Sequence, residues 1–359
     1  MQVRYKKQLE SFLLDVRFDM PDRGVTVLFG PSGAGKSSLL NLMAGIDDNA
    51  SKITCSQFKL KQTIYDDSEK NINLKPWQRK IGVVFQDHHL FPHMTVRENI
   101  LFGYKRRKSN KKINSLVDAF GITELLDHYP AYTSGGQKQR VSMVRALLSE
   151  PDLLILDEPL AALDYKSRQE IIPYIEGIAK RLSIPIIYVS HDIREVLRLA
   201  EHIVIIDQGK IVDTGNISEL CINQPLLTQQ EGASFILHGS IKEIIADDQL
   251  IQVNCEKKSI YFSDRNSGNN LILGQDVKIL IHAKDVSLCL KPPADSSILN
   301  CIPVTIEKIE ENSSGKLLVF SSIGSQTIVA AISHRSARLL NVKSGEKMYA
   351  QFKATAMIK

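Results

Sequence analysis

The sequence predicts an α/β domain with a mixed, largely parallel sheet, followed by an all-β domain. Val25–Gly45 is an apolar strand, a glycine-rich turn and an amphipathic helix in immediate succession. Apolar strands then alternate with helical periods as far as Gly215, which implies a sheet covered on both faces. After Phe235 nearly every segment reads as strand, punctuated by Gly, Asn, Asp and Ser turns.

In chain order, Met1 to Asp22 reads as short antiparallel strands, Phe12–Phe18 alternating imperfectly. The strand and helix of Val25–Gly45 come next. Ile53 to Leu74 is polar and turn-rich, with short strand candidates, and Lys80–Gln86 is a compact apolar strand ending in a polar side chain. Leu90–Asn99 is a loop entering a helix, with Thr95 as N-cap and Glu98 completing a capping box. From Lys111 to Leu148 the period is helical: Ile113, Leu116, Val117 and Phe120 share one face, and Val141, Val144, Leu147 and Leu148 another. Leu153–Asp157 is a buried parallel strand between Pro151 and Pro159. The helix expected over Ser167–Leu182 carries a kink-inducing Pro173. Ile184–Ser190 and His202–Asp207 are strands flanking a helix at Ile193–Leu199. Asn223 to Glu231 reads as a polar linker, so a boundary is expected between residues 1–231 and 232–359. Within the second part Gly274 and Ala283 recur as Gly345 and Ala354 at identical spacing, each glycine feeding an alternating strand. Two small β-barrel-like halves would account for this duplication.

The chain has 359 residues, 43% hydrophobic and 24% charged, ordinary values for a globular protein. No apolar run approaches the ~18 residues that span a bilayer, and the N-terminus has no signal-peptide apolar region. The five cysteines are scattered without C-x-x-C spacing, which fits a reducing compartment and argues against zinc. A formal charge of +5 identifies no partner. The basic run Lys105–Lys112 reads as an anion-contacting patch or as a solvated helix face, and lacks the interleaved aromatics of a nucleic-acid surface.

The chemistry concentrates in three places. Gly30-Pro31-Ser32-Gly33-Ala34-Gly35-Lys36-Ser37-Ser38 has the spacing G-x-x-x-x-G-K-S between a strand and a helix. Glycines let successive N–H groups converge on a phosphate at a helix N-terminus. Lys36 would reach the β- and γ-phosphates, and the Ser37 hydroxyl would complete a Mg²⁺ shell, so the chain is expected to bind a nucleoside triphosphate with Mg²⁺. Asp157 and Glu158 close an apolar strand. The first suits Mg²⁺, partly through water, and the second suits taking a proton from the attacking water. Ser134, Gly135, Gly136 and Gln137 open a helix as a second anion site, one that suggests a nucleotide held by another subunit.

With Gln86, Asp157/Glu158, Ala162-Leu163-Asp164 and His191 in this order, residues from about Gly24 to Gly215 resemble the ABC transporter ATPase family. The resemblance implies a P-loop ABC ATPase domain with a helical subdomain at about residues 90–150, followed by an OB-like regulatory domain. It further implies that two such subunits sandwich two nucleotides as a homodimer. Gln86 then senses Mg²⁺ and water beside the membrane-subunit contact, Asp164 lies across the dimer interface, and His191 contacts the γ-phosphate. Thr133 stands where that signature usually has leucine. Tyr5 and Phe12 are the candidates for the aromatic that the family stacks on adenine. His88, His89 and His93 fall in the Gln86 loop, where docking of a membrane partner competes with a metal reading.

The tail narrows the family. Lys284–Pro293, Ser297–Asn300 and Tyr349–Thr355 resemble the tail of molybdate importer ATPases, with a Mop-like part at about 292–359. That resemblance implies two membrane permease subunits, an external solute-binding protein and a peripheral place on the cytoplasmic face of the inner membrane. No nucleic-acid partner is expected. Molybdate or tungstate at Ser296, Ser297, Asn300, Lys353 and Thr355 stands beside the plainer reading of a turn between domains, because Leu299 replaces the family's arginine. Importers of sulfate, ferric iron or polyamines remain alternatives. A soluble ATPase acting on DNA or ribosomes fits less well, since no heptad run is present.

Overall fold

The computed structural model describes all residues except 48–51, 108–112, 162, 183, 264–271, 312–314, 355–356 and 359. The chain divides into two compact units, Met1–Ile217 and Ser218–Lys359.

The first unit is organised by one sheet. Its strands are β1 (Gln2–Gln8), β2 (Leu13–Asp19), β3 (Gly24–Phe29), β4 (Ile53–Leu60), β5 (Thr63–Asp67), β6 (Ile72–Asn73), β7 (Ile81–Val84), β8 (Leu153–Asp157), β9 (Pro185–Ser190), β10 (His202–Asp207) and β11 (Lys210–Asn216). Among the described residues their order is β6-β5-β4-β1-β2-β11-β10-β3-β9-β8-β7. From β10 through β3, β9 and β8 to β7 the pairing is parallel, whereas β1 pairs antiparallel with β2 and β4. Burial follows that division. Every residue of β3 and β9 is buried, as a strand covered on both faces requires. In contrast, β2 alternates strictly, with Leu14, Val16 and Phe18 inward.

The helices of this unit are α1 (Lys36–Ala44), α2 (Val96–Arg107), α3 (Ile113–Ala119), α4 (Gly135–Leu147), α5 (Tyr165–Leu182) and α6 (Ile193–Leu199). Thr95 and Glu98 form the expected capping interaction ahead of α2, the Glu98 carboxylate accepting from the Thr95 N–H at 2.8 Å. Pro173 does not end α5, which continues through it as one helix. The basic run Lys105–Lys112 begins in the last turn of α2, and its remainder lies outside the described residues.

One side chain joins the glycine-rich segment to the antiparallel strands. Arg79, 1% exposed, donates to the Leu42 and Met43 carbonyls at 2.9 and 2.6 Å. It also donates to the Leu74 carbonyl at 2.7 Å and to Asn73 at 3.0 Å, with Asp66 3.8 Å away. The Leu42 and Met43 carbonyls lie in the last turn of α1, where positive charge is favourable.

The stretch 223–231 is helical, not a linker: α7 (Ile217–Asn223) is followed by α8 (Pro225–Glu231). Pro225 is the first residue of α8, and the Gln224 side chain accepts from the Leu226 N–H at 2.9 Å, so local capping outweighs polar composition. Two five-stranded sheets follow, separated in sequence but repeating each other. The first holds β12 (Ser234–Ile245), β13 (Leu250–Cys255), β14 (Lys258–Ser263) and β15 (Asp276–His282); the second holds β17 (Asn300–Glu311), β18 (Leu317–Ile323), β19 (Gln326–Ile332) and β20 (Lys347–Phe352). The duplication extends to single bonds. Gly274 donates to Ile241 and Gly345 to Ile306, both at 2.8 Å, with φ of 80° and 86° at the two glycines. The halves then exchange their final strands: β16 (Ser287–Cys289) pairs with β20, and β21 (Met357–Ile358) pairs with β15.

Replacing Arg79 by methionine is expected to destabilise the first unit by about 3–5 kcal/mol, because Asp66 and several buried carbonyls lose their partner. Urea unfolding followed by circular dichroism measures this. An unchanged midpoint for the first transition would remove Arg79 from this role.

Candidate nucleotide site

The sheet register delivers the site. Phe29 of β3 lies opposite Ser190 of β9, and Val189 lies opposite Asp157 of β8. The turns that follow these strands therefore leave the sheet at one edge, the carboxyl ends where α/β proteins bind ligands. They carry Gly30–Ser38, Glu158 and His191. Gln86 follows β7 at the same edge, exposed in a turn.

Gly30 has no room for a side chain, since a Cβ would meet the Ile206 carbonyl oxygen at 2.0 Å. Gly35 caps α1 at φ 102°, which a side chain would strain. Lys36 is 5% exposed and folds back to donate to the Gly30 and Pro31 carbonyls at 2.8 and 2.9 Å. Burial holds its ammonium below the ordinary lysine range, while Glu158 and Asp157 pull it upward. The Ser37 hydroxyl reaches Asp157 only at 3.5 Å. Burial raises the Asp157 carboxyl above its usual range, against the Ser37 contact, and Glu158 raises it further.

Glu158 holds φ 42°, an uncommon backbone region for a non-glycine residue at the sharp exit from β8. Its carboxylate lies 3.3 Å from Nδ1 of His191, whose ring is half exposed. An open cleft of about 500 Å³ brings together Phe12, Ser32, Gly33, Lys36, Ser37 and Glu158. Phe12 packs over Gly35 and Gly209 at its edge. Tyr5 is excluded as an adenine platform: it is fully buried in β1, with its hydroxyl on Asp66 and the Leu42 carbonyl.

Ser134–Gln137 are not among the residues of this cleft. Ser134 caps α4 in a reciprocal box: its Oγ accepts from the Gln137 N–H at 3.3 Å, and its own N–H donates to Gln137 at 2.8 Å. Thr133 is accommodated because its hydroxyl donates to the Pro130 carbonyl at 2.8 Å. Gly135 and Gly136 face Leu163 and Ser167, and Asp164 binds the Ser167 N–H and hydroxyl at 3.0 and 2.8 Å. Ser134, Gly135 and Asp164 are all exposed.

Two arginines escaped the sequence reading. Arg145, on α4, donates to the carbonyls of His89 and His88 at 2.8 and 3.2 Å and lies over the Phe91 ring. Both histidines hold positive φ, so Arg145 grips an unusual backbone turn just beyond Gln86. Arg168, on α5, bonds the turn that follows Glu158. Their only sequence signal is a basic residue within an otherwise apolar helical period.

In the tail, Asn300 is 1% exposed, and its amide is fully engaged with the Tyr261 backbone, accepting from N–H at 2.7 Å and donating to C=O at 2.8 Å. Ser296 accepts from the Ile298 N–H at 3.0 Å, Ser297 and Lys353 are exposed, and Thr355 lies outside the described residues.

The ABC transporter family model matches residues 13–161, and the TOBE domain model matches residues 296–358. The molybdenum import ATP-binding protein ModC of Pseudomonas syringae pv. syringae is 38% identical over 363 residues, covering 100% of this chain and 99% of that protein. ModC of Pseudomonas aeruginosa is 36% identical over the same shares of both chains. The solved structure of cbiO1 from Clostridium perfringens, part of the ABC transporter complex cbiONQ, matches with TM-score 0.51 and 29% identity, covering 61% of this chain and 89% of that one. With a P-loop ABC ATPase fold leading into a β-rich TOBE tail, the chain belongs to the molybdenum import ATP-binding protein family of ABC transporter ATPases.

Proposed function

We propose that the chain is the ATP-hydrolysing subunit of a molybdate importer, with Glu158 as the base that activates water. The Glu158 carboxylate supports this most directly: it stands beside His191 at the rim of the cleft whose floor is Lys36. Relatives named for molybdenum import along their whole length supply the solute.

In this reading Gly30–Ser38 present N–H groups to the β- and γ-phosphates, and Lys36 exchanges its two carbonyl partners for phosphate oxygens. Phe12 supports the adenine. Ser37 and Asp157 are the oxygen donors suited to Mg²⁺, and the raised Asp157 carboxyl with its one long contact is a group that a cation would relieve. Bound Mg²⁺ would supply charge neutralisation of the phosphates. Gln86 and His191 orient the water and the γ-phosphate. The Ser134–Gln137 cap, exposed at Ser134 and Gly135 and absent from its own chain's cleft, acts on a nucleotide held by a second copy, with Asp164 at that interface. Two permease subunits and an external binding protein complete the importer, and the ATPase stands peripherally at the cytoplasmic face of the inner membrane. The tail reads oxyanion through Ser296, Ser297 and Lys353, without Asn300.

Glu158→Gln is expected to lower kcat by about 10²–10⁴-fold while ATP still binds. Steady-state phosphate release and nucleotide titration measure the two, and near-normal turnover would sink the assignment.

Because burial lowers Lys36, its proton is lost below the ordinary lysine range, and the native state carries its charge at a penalty that phosphate removes. ATP affinity is therefore full while Lys36 is charged and declines as pH rises through that lowered value. Fluorescent-nucleotide titrations at increasing alkaline pH test this; affinity constant up to the ordinary lysine range contradicts it.

Calorimetry of the full chain is expected to give molybdate-specific heat that sulfate does not match and that Lys353→Ala weakens. Equal silence for both oxyanions leaves the tail a structural element.

A further inference from the structure

We propose that Arg168 is a positioning residue that ties the turn carrying Glu158 to the turn carrying His191, fixing the spacing of base and histidine. Its guanidinium donates through Nε to the Leu163 carbonyl at 2.9 Å and through Nη2 to the Ala161 carbonyl at 3.4 Å. Those carbonyls belong to consecutive turns that begin at Glu158: Ala161 N–H donates to the Glu158 carbonyl and Leu163 N–H to that of Leu160, both at 3.1 Å. On its other side Nη1 lies 3.5 Å from Asp192 and 3.8 Å from Glu195.

Asp192 and Glu195 in turn define the backbone around His191. Glu195, nearly buried, accepts from the Tyr188 and Ser190 hydroxyls at 2.8 and 2.7 Å. Ser190 Oγ accepts from the Asp192 N–H at 3.0 Å, and Asp192 caps α6 by accepting from the Arg194 N–H at 2.9 Å. His191 is thus flanked on both sides by residues of one polar network that Arg168 closes. Burial raises the Glu195 carboxyl, and the Ser190 and Tyr188 hydroxyls, with a smaller contribution from Arg168, draw it back. A planar fork can serve two carbonyls and two carboxylates from one position, whereas an ammonium cannot match those directions together.

This inference rests on Glu158 being the base. The test uses the full chain with Arg168→Met, Arg168→Lys and Glu195→Gln; the glutamine keeps an oxygen for Tyr188 and Ser190, so it serves if the first variant does not fold. We expect kcat to fall about 10- to 100-fold in Arg168→Met, with ATP KM unchanged, as misplacement of groups that bind nucleotide only in the reaction predicts. The imidazole NMR signal of His191, assigned by its loss in His191→Ala, should shift while the other histidine signals stay. Arg168→Lys should resemble Arg168→Met. Turnover within about twofold of wild type in the arginine variants, an unmoved His191 signal, or equal movement of all histidine signals would overturn the proposal. Failure of Glu158→Gln to stop hydrolysis overturns the functional reading instead. A dead Glu158→Gln with normal Arg168 variants overturns this inference alone.

Discussion

A helix can aim its free N–H groups at a phosphate only if its far end is held. Here the holding is done by a guanidinium with almost no contact with water: Arg79 closes on the last carbonyls of α1 and on Asp66 of the antiparallel strands. The opposite end of the same helix is the Gly35 cap, where Lys36 turns back on Gly30 and Pro31. The glycine-rich turn inherits its position from this axis. The parallel strands set where the turns leave the sheet, and the arginine sets where the helix stands between them. Favourable charge at a helix C-terminus and buried donors for carbonyl groups act together.

The parts legible in sequence are those whose meaning is local. The glycines, Lys36 and Ser37 are readable together because the turn proposed to bind phosphate is a contiguous object. Asp157 and Glu158 declare themselves because they end an apolar strand. The alternation of Val3, Tyr5 and Lys7 in β1, all buried, contains enough to assign Tyr5 inward and leave Phe12 for the cleft. Asn300 was not legible in the same way. Its partner Tyr261 is remote in the chain, and an amide aimed at backbone looks like an amide awaiting an anion. Arg79, Arg145 and Arg168 share that difficulty, since an arginine's reach is a tertiary property. The polar segment 223–231 differs again: Gln224 and Pro225 are local signals for the start of α8, but composition points to a linker.

The residues proposed for the two ends of the ATPase chemistry meet different physical demands. Around Lys36 and Asp157 burial works against charge, so ligand binding can relieve both. Around Ser134 the cap is internally satisfied and open to solvent. In the proposed dimer a partner approaching it meets a preformed N-terminus.

The exchanged strands of the tail bear on how this chain is made. Met357–Ile358 completes a sheet whose neighbouring strand, β15, is translated far earlier, while β16 waits for β20. Neither half can close its own sheet from its own residues. During synthesis the free side of β15, which already pairs with β12, and the strand β16 wait for partners from the second half. Completion of both sheets of the tail is therefore a joint event that follows emergence of the second half, and until then open strand edges are available to neighbouring chains.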